Sequence, residues 1–499
     1  METLYHNGIN IEKYILIPKD YRFIEIGYKG IPRGAKEYFK TVIEGLEDTK
    51  NTISLGKYVL GTDEIYVQEE PVIEEYYSRV GHGSSFDYSL SIMNNWDSTT
   101  TSMWKKFRYD SSLEYFPMVD TSNVTEMAAC FMECTKLKSI PKLNTSKVTN
   151  MNGCFEGCIS LPTIPLIDTS EVTTMINCFR GCSNLTTIPL LDTSNVISMD
   201  DCFAYCTSLT TIPELDLNNA ISLMACFWGC TSLTTISLKN TNTVGSFNGT
   251  FSGCTSLISI PELNTKNANT LWQCFRNCTS LTTLPEELNL ENVIEMHECF
   301  EGCTNLTTIP KLNTWKVTRM DSCFRNCTSL TTIPEFYAYR LNDVSLLFEN
   351  CISLTETPLL PTESVTSSTD FYHIFNGCTS LRRIGGISFY GLRDRLLEPN
   401  VLFGDTPNNS IRYMLIKDIG TMEECISIDL SYATVWGINS NEVLDARQSL
   451  IDSLLTYSFD RKSYGYEDCT IILSGVTWSN IYWSERNDIK SKGYNIISV

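Results

Sequence analysis

From residue 120 to 392 the apolar positions recur at a nearly constant interval. Cys134, Cys158, Cys182, Cys206, Cys230, Cys254 and Cys278 are each 24 residues apart, and Cys303, Cys327, Cys351 and Cys378 continue the series with small insertions. Each follows a phenylalanine by three residues, from Phe131 and Phe155 to Phe348 and Phe375. Such a period over eleven units predicts a solenoid, in which no unit buries enough apolar surface alone and each must stack on its neighbours.

Residues 178–201, CFRGCSNLTTIPLLDTSNVISMDD, show how one unit is built. LTTIP is short, rich in Thr and Ile and closed by Pro189, which suits a short strand. Leu185, Ile188 and Leu191 point inward on this reading, as do Leu209, Ile212 and Leu215 one unit later. The D-T-S-N run bends the chain through side chains that bond nearby backbone. Val196 and Met199 form a second apolar edge. The spacing of Cys202, Phe203 and Cys206 predicts a helical turn that gathers them on one side. In nine of eleven units the residue before the last Cys is Gly or Asn, the types that accept a left-handed backbone at a helix end. Glu133 and Tyr205 break that rule, so those turns are expected to be strained or differently closed.

The flanks lack the repeat. In residues 1–105, ILIPKDYRFIEIGYKGIP and KYVLGTDEIYVQEEPVI alternate apolar and polar residues and predict a small β-rich N-terminal domain suited to attachment, with AKEYFKTVIEGL as one helix. Trp104 and Phe107 are placed to begin a cap for the first unit. Residues 393–499 predict an α/β C-terminal cap: strands at MLIKDI, ECISIDLS and CTIILS, a helix in NSNEVLDARQSLIDSLLTYS, another from Trp478 to Lys492 stopped by Gly493, and a closing strand at YNIIS. The expected fold class is thus α/β but β-rich, a solenoid of about eleven 24-residue units over 106–392 between two unlike end domains.

The run C-T-S-L-T-T-I-P-x-L-D-T-S-N-V-T-x-M-x-x-C-F-x-x-C resembles the BspA-type leucine-rich repeats of bacterial surface proteins, including their D-T-S-N-V variant, over about residues 120–392. The resemblance implies one parallel sheet with short helical turns opposite, and a role in adhesion or protein binding. The C-terminal segment resembles one found on repeat-bearing proteins of gut bacteria and their phages.

Composition narrows the partners. A net charge of -20 argues against nucleic acid and anionic membranes, and no apolar run is long enough to span a bilayer. The first thirty residues lack the pattern of a secretory signal, which cell-surface members of the family usually carry. A phage virion, whose proteins leave the cell by lysis, is therefore the expected location. The expected partners are other virion proteins or a bacterial host-surface receptor, and self-association into a homo-oligomer is compatible with the chain. A surface or secreted adhesin of a gut bacterium or protist is the alternative.

Chemistry is sparse. Nineteen of the 21 cysteines belong to the repeat, and metal binding would need four ligands gathered in one place rather than strung along a stack. Disulfides fit the spacing, as does a ladder of buried thiols; Thr250, Leu347 and Ile374 in place of the first Cys favour the ladder. Only His6, His82, His297 and His373 are present, the last two expected at the surface. Neither a nucleophile motif nor a phosphate loop appears. The chain is expected to be non-enzymatic, with no catalytic, cofactor-binding or metal-binding residues. The Thr-Thr pairs read as a strand-stabilising ladder. The residue after Phe varies from unit to unit, and with the large aromatics it gives the candidate binding surface: Arg180, Trp228, Trp272, Arg276, Trp315 and Arg325.

Overall fold

In a computed structural model, the described residues are 5–6, 9–10, 14–18, 58–60, 64–68, 91–92, 95–117, 119–260, 263–285, 288–335, 337–388, 390–391, 396–397, 400–404, 413–417, 427–429, 453–454, 458, 460–473 and 483–498. The chain divides into two units. One comprises Met1–Val196 and Tyr205–Leu215, the other Ile197–Ala204 and Asp216–Val499. Both are coils of a leucine-rich-repeat solenoid, mostly β in its hydrogen bonding and nearly free of helix among the described residues.

A phenylalanine column runs through each unit. In the first, Phe107, Phe131, Phe155 and Phe179 stack with ring centroids 5.5–5.6 Å apart. In the second, a column runs from Phe203 through Phe227, Phe251, Phe275, Phe300, Phe324 and Phe348 to Phe375, and Phe403 closes it 6.1 Å beyond. Phe107, expected to begin a cap, is thus part of the regular stack. The inward Leu, Ile, Val and Met positions read from residues 178–215 are all buried.

The expected helical turn at C-F-x-x-C is instead a run of consecutive β-turns. In the coil around Phe275, Cys274, Arg276 and Cys278 donate their N–H groups three residues back, to Leu271, Gln273 and Phe275. The alternate residues Leu271, Gln273, Phe275 and Asn277 donate to the next coil, at Glu295, His297, Cys299 and Glu301. This alternation needs a left-handed residue twice per coil. Gln273 has φ 54° and Asn277 φ 57°. A helix would direct every N–H within the coil and leave the stack unpaired; the alternation satisfies both. Glu133 and Tyr205 close their turns like the rest, at φ 59° and 61°, and the difference from Gly is the local cost of a left-handed side chain, about 1–2 kcal/mol.

Proline matters on the strand that donates. On the sheet side a later coil donates to an earlier one, as Thr331 N–H does to Thr307 O. Where I-P follows the Thr pair, the lost N–H leaves single bridges such as Thr163↔Thr187 and Thr308↔Thr332. Longer strands are β6 (Thr211–Asp216) and β8 (Glu356–Leu360), which keep Pro213 and Pro358, and β7 (Thr235–Lys239) and β9 (Arg383–Ser388), in which Ser237 and Gly385 stand at the proline position. β8, β9 and Tyr413–Lys417 form one parallel sheet. The Thr hydroxyls lace the same side: those of Thr307, Thr331 and Thr355 each donate to backbone oxygen of the coil before.

The two cysteine columns differ in role. Every second-column thiol donates to the Phe carbonyl of the preceding coil: Cys254 Sγ to Phe227 O and Cys303 Sγ to Phe275 O, both at 3.1 Å. The first column fills volume, and Thr250 there sends its hydroxyl to Leu223 O. All twenty described cysteines are buried, and none of them is in a disulfide. Burial pushes the Cys134, Cys182, Cys303 and Cys378 thiols up to about 12, so they stay protonated and able to donate. Cys299→Ile, in the first column, should cost less than about 1.5 kcal/mol. Cys303→Ile removes the donor and overpacks the second column, and should cost about 1–3 kcal/mol beyond that. Equal losses in paired urea titrations would refute this division of roles.

Outside the repeat, β1 (Tyr5–His6) pairs with β2 (Ile9–Asn10), and β5 (Glu64–Gln68) lies between β3 (Tyr14–Pro18) and β4 (Tyr58–Leu60), all antiparallel. Near the C-terminus a parallel sheet orders Leu396–Leu397, Ser427–Asp429, Cys469–Leu473 and Tyr494–Ser498, with a helix at Trp483–Ser491. Gly493, at φ 91°, ends that helix as its sequence position predicts. The helices read at AKEYFKTVIEGL and NSNEVLDARQSL fall outside the described residues.

Candidate recognition surface

The column after Phe is largely self-satisfied. Arg276 Nε lies 2.6 Å from Glu301 and 3.2 Å from Glu298; Arg325 bonds Glu349 and approaches Glu301 at 3.6 Å; Asn376 donates to Glu349 at 2.8 Å. Glu301 and Glu349 are buried, so Arg276 and Arg325 neutralise carboxylates that burial would otherwise penalise. The bond to Glu301 holds the Arg276 guanidinium above its ordinary range. In the first unit, burial raises the Glu156 carboxyl against the pull of Arg180, 3.4 Å away, whose guanidinium also sits 5.5 Å from the Tyr205 ring. These three arginines are therefore each paired with an acid of an adjoining coil.

Trp228 packs down as well. Its indole lies over Gly249, where a Cβ would sit 2.8 Å from the ring; the equivalent Ala225 and Gln273 share the left-handed φ, so it is the indole that keeps this position glycine. Trp272 and Trp315 stay open, at 40% and 39% exposure. Trp272 stacks on His297 at 5.2 Å, and Lys316 places its ammonium 4.7 Å from the Trp315 ring. His297 is half-buried; His373, expected at the surface, is buried because its left-handed backbone forms part of the turn column and donates to Val401.

Sequence reasoning placed Trp104 only at the start of a cap, yet at 59% exposure it is more open than Trp272 or Trp315. Its signal was the column one place after the inward Met or Leu, shared by Trp104, Met224 and Trp272. The same reading missed Asp321, whose carboxyl is raised by burial and by neighbouring Asp343. No cluster of His, Cys, Asp and Glu suited to a metal occurs among the described residues, and none of their helices is long and apolar enough to cross a membrane.

Residues 100–211, 162–260, 210–308 and 269–384 match the family described as "Mycoplasma protein of unknown function, DUF285", together covering more than half of the 499 residues. The chain belongs to this family. The DUF285 match falls on the coils that carry the BspA-type resemblance, and the protein is a BspA-like leucine-rich-repeat protein. No curated protein matches it. Among solved structures, the TLR13–ssRNA13 complex is similar at 14% identity over 80% of this chain and 59% of that one, with a TM-score of 0.25. A leucine-rich repeat protein from Eubacterium ventriosum ATCC 27560 is similar at 16% over 57% of this chain and 87% of that one, with a TM-score of 0.23. The plant peptide hormone receptor RGFR1 with RGF2 gives 12%, 78%, 95% and 0.16 in the same order. This DUF285 chain thus spans 59% of the length of the first of these structures.

Proposed function

We propose that this protein is a non-enzymatic recognition protein, a tail- or fibre-type component of a phage virion whose solenoid meets a host-surface receptor or a neighbouring virion subunit. The observation that carries the reading is the contrast between occupied and open side chains. The arginines, buried acids and thiols are engaged between coils, while Trp272 and Trp315 keep 40% and 39% of their surface in water despite the His297 and Lys316 contacts. Exposed tryptophans of this kind are the usual anchors of an interface. The resemblance of the C-terminal segment to phage and gut-bacterial repeat proteins supports the virion setting.

Antibody against the C-terminal segment should label intact particles of the source phage. Trp272→Ala or Trp315→Ala should weaken adsorption or subunit assembly about tenfold or more, equivalent to about 1.4 kcal/mol, with little change in melting temperature. Unchanged attachment in both variants would remove these two tryptophans from consideration. Label on a cell surface instead of a particle would assign the same face to an adhesin, the setting of the BspA-type proteins that the repeat resembles.

A further inference from the structure

We propose a binding site for a neutral saccharide in the first unit, built around Trp104. An open depression of about 370 Å³ is lined by Ser102, Trp104, Glu126, Ala128 and Asn150. Its origin lies in the coil register. Trp104 and Ala128 occupy equivalent places on successive coils, so a tall indole stands beside a methyl group and leaves a gap. Beside them, Ser102, Glu126 and Asn150 form a second column, tied by the bridges Ser102↔Glu126 and Glu126↔Asn150 and therefore roughly 4.8 Å apart.

The polar groups are fixed before any ligand arrives. Glu126 accepts the Ala128 N–H at 2.8 Å on Oε1 and the Asn150 amide at 3.2 Å on Oε2. Asn150 in turn accepts the Asn152 N–H at 3.0 Å. Each carboxylate oxygen keeps a second lone pair, so the pair of them can take two hydroxyl protons from a ligand. Ser102 Oγ accepts the Trp104 N–H at 3.2 Å and retains its own hydrogen for donation. The Lys105 ammonium lies 4.3 Å from the Trp104 ring centroid, and the residue still keeps 59% of its surface exposed.

A flat aromatic surface beside a carboxylate, an amide and a hydroxyl matches the two-sided chemistry of a pyranose, whose axial C–H face is apolar and whose rim is a ring of hydroxyls. The volume lies at the small end of the range for ligand pockets, about 300–1,000 Å³, and admits a mono- or disaccharide. The Glu126 charge at the rim repels acidic sugars. The site belongs to the first unit and Trp272 and Trp315 to the second, so either proposal can fail without the other.

The test is saturation-transfer NMR on the intact chain. The probes are the methyl glycosides of glucose, galactose, mannose and N-acetylglucosamine, with glucuronic and N-acetylneuraminic acids as acidic counterparts. At least one neutral glycoside should bind saturably, and Trp104→Ala should weaken it tenfold or more while Trp104→Phe retains part of the affinity. Ala128→Leu should abolish binding by filling the gap with the indole intact, which separates occlusion from loss of the ring. Circular dichroism of each variant checks that the coils remain folded. Saturable binding of no neutral glycoside overturns the proposal. So does preference for the acidic sugars, or affinity that Trp104→Ala and Ala128→Leu leave unchanged.

Discussion

Replacing Phe251 with alanine should lower stability by about 3–5 kcal/mol, among the largest single-residue losses available in this chain. Its ring is fully buried between Phe227 at 5.5 Å and Phe275 at 5.4 Å, nearly parallel to both. Coils above and below are held by hydrogen bonds at fixed spacing, so they cannot close on the vacated space, and the cavity persists. Equilibrium urea unfolding followed by circular dichroism reads the loss. A cost below about 1.5 kcal/mol would mean that the column collapses onto itself and that stacked rings are not what spaces the coils.

Excising residues 290–337 should leave a folded protein, whereas excising 314–325 should unfold the second unit around the cut. The longer deletion removes two whole coils and joins Asn289 to Ala338, which precedes Tyr339 as Leu290 precedes Glu291, so each column continues in register. It also brings Arg276 opposite Glu349, preserving the alternation of charge. Removing the single coil 314–337 keeps register but sets Glu301 beside Glu349 with Arg325 gone, two buried carboxylates in line. That variant should fold less stably than the two-coil deletion despite losing less chain, because buried like charges repel. Thermal melts of the three variants check the order. If the single-coil deletion equals or exceeds the two-coil one, the ion-pair ladder contributes nothing to the stack.

The coil period, the inward residues and the second left-handed position were legible because each shows a narrow residue choice. Phe fills one volume, and Gly or Asn takes one backbone conformation. The first left-handed position was not. Ala129, Asp201, Gln273, Glu298 and Leu346 all hold positive φ there, and nothing common to their side chains announces it. The left-handed backbone is imposed by hydrogen bonds to the coils on either side, information that belongs to the stack and not to the unit. For the same reason C-F-x-x-C suggested a helical turn: its spacing places Cys, Phe and Cys together equally well in a β-turn run. The candidate surface was misjudged in the same sense. Variability after Phe was a sound signal of side-chain freedom, but Arg276 and Arg325 vary in step with Glu301 and Glu349 one coil away. Trp272 meets only the His297 ring of the next coil and Trp315 lies beside Lys316 of its own coil, so both indoles keep part of their surface in water.

The alternating turn gives the stack an electrical direction. Between the coil of Phe275 and the next, four N–H groups, from Leu271, Gln273, Phe275 and Asn277, point toward the C-terminal side, while Ile294 and Thr307 return bonds to Asn269 and Thr282. Peptide dipoles of about 3.5 D therefore add along the turn column of the second unit, with the positive pole at its C-terminal end, the reverse of an α-helix. Coil after coil repeats the same sense, from Phe203 N–H to Cys226 O through to Phe375 N–H to Leu402 O. The segment that covers the last coil meets donors and a site that favours anions, and a carboxylate placed there gains what a lysine would lose. An array of this kind is polarised in the way a magnet is, and its two ends are never interchangeable.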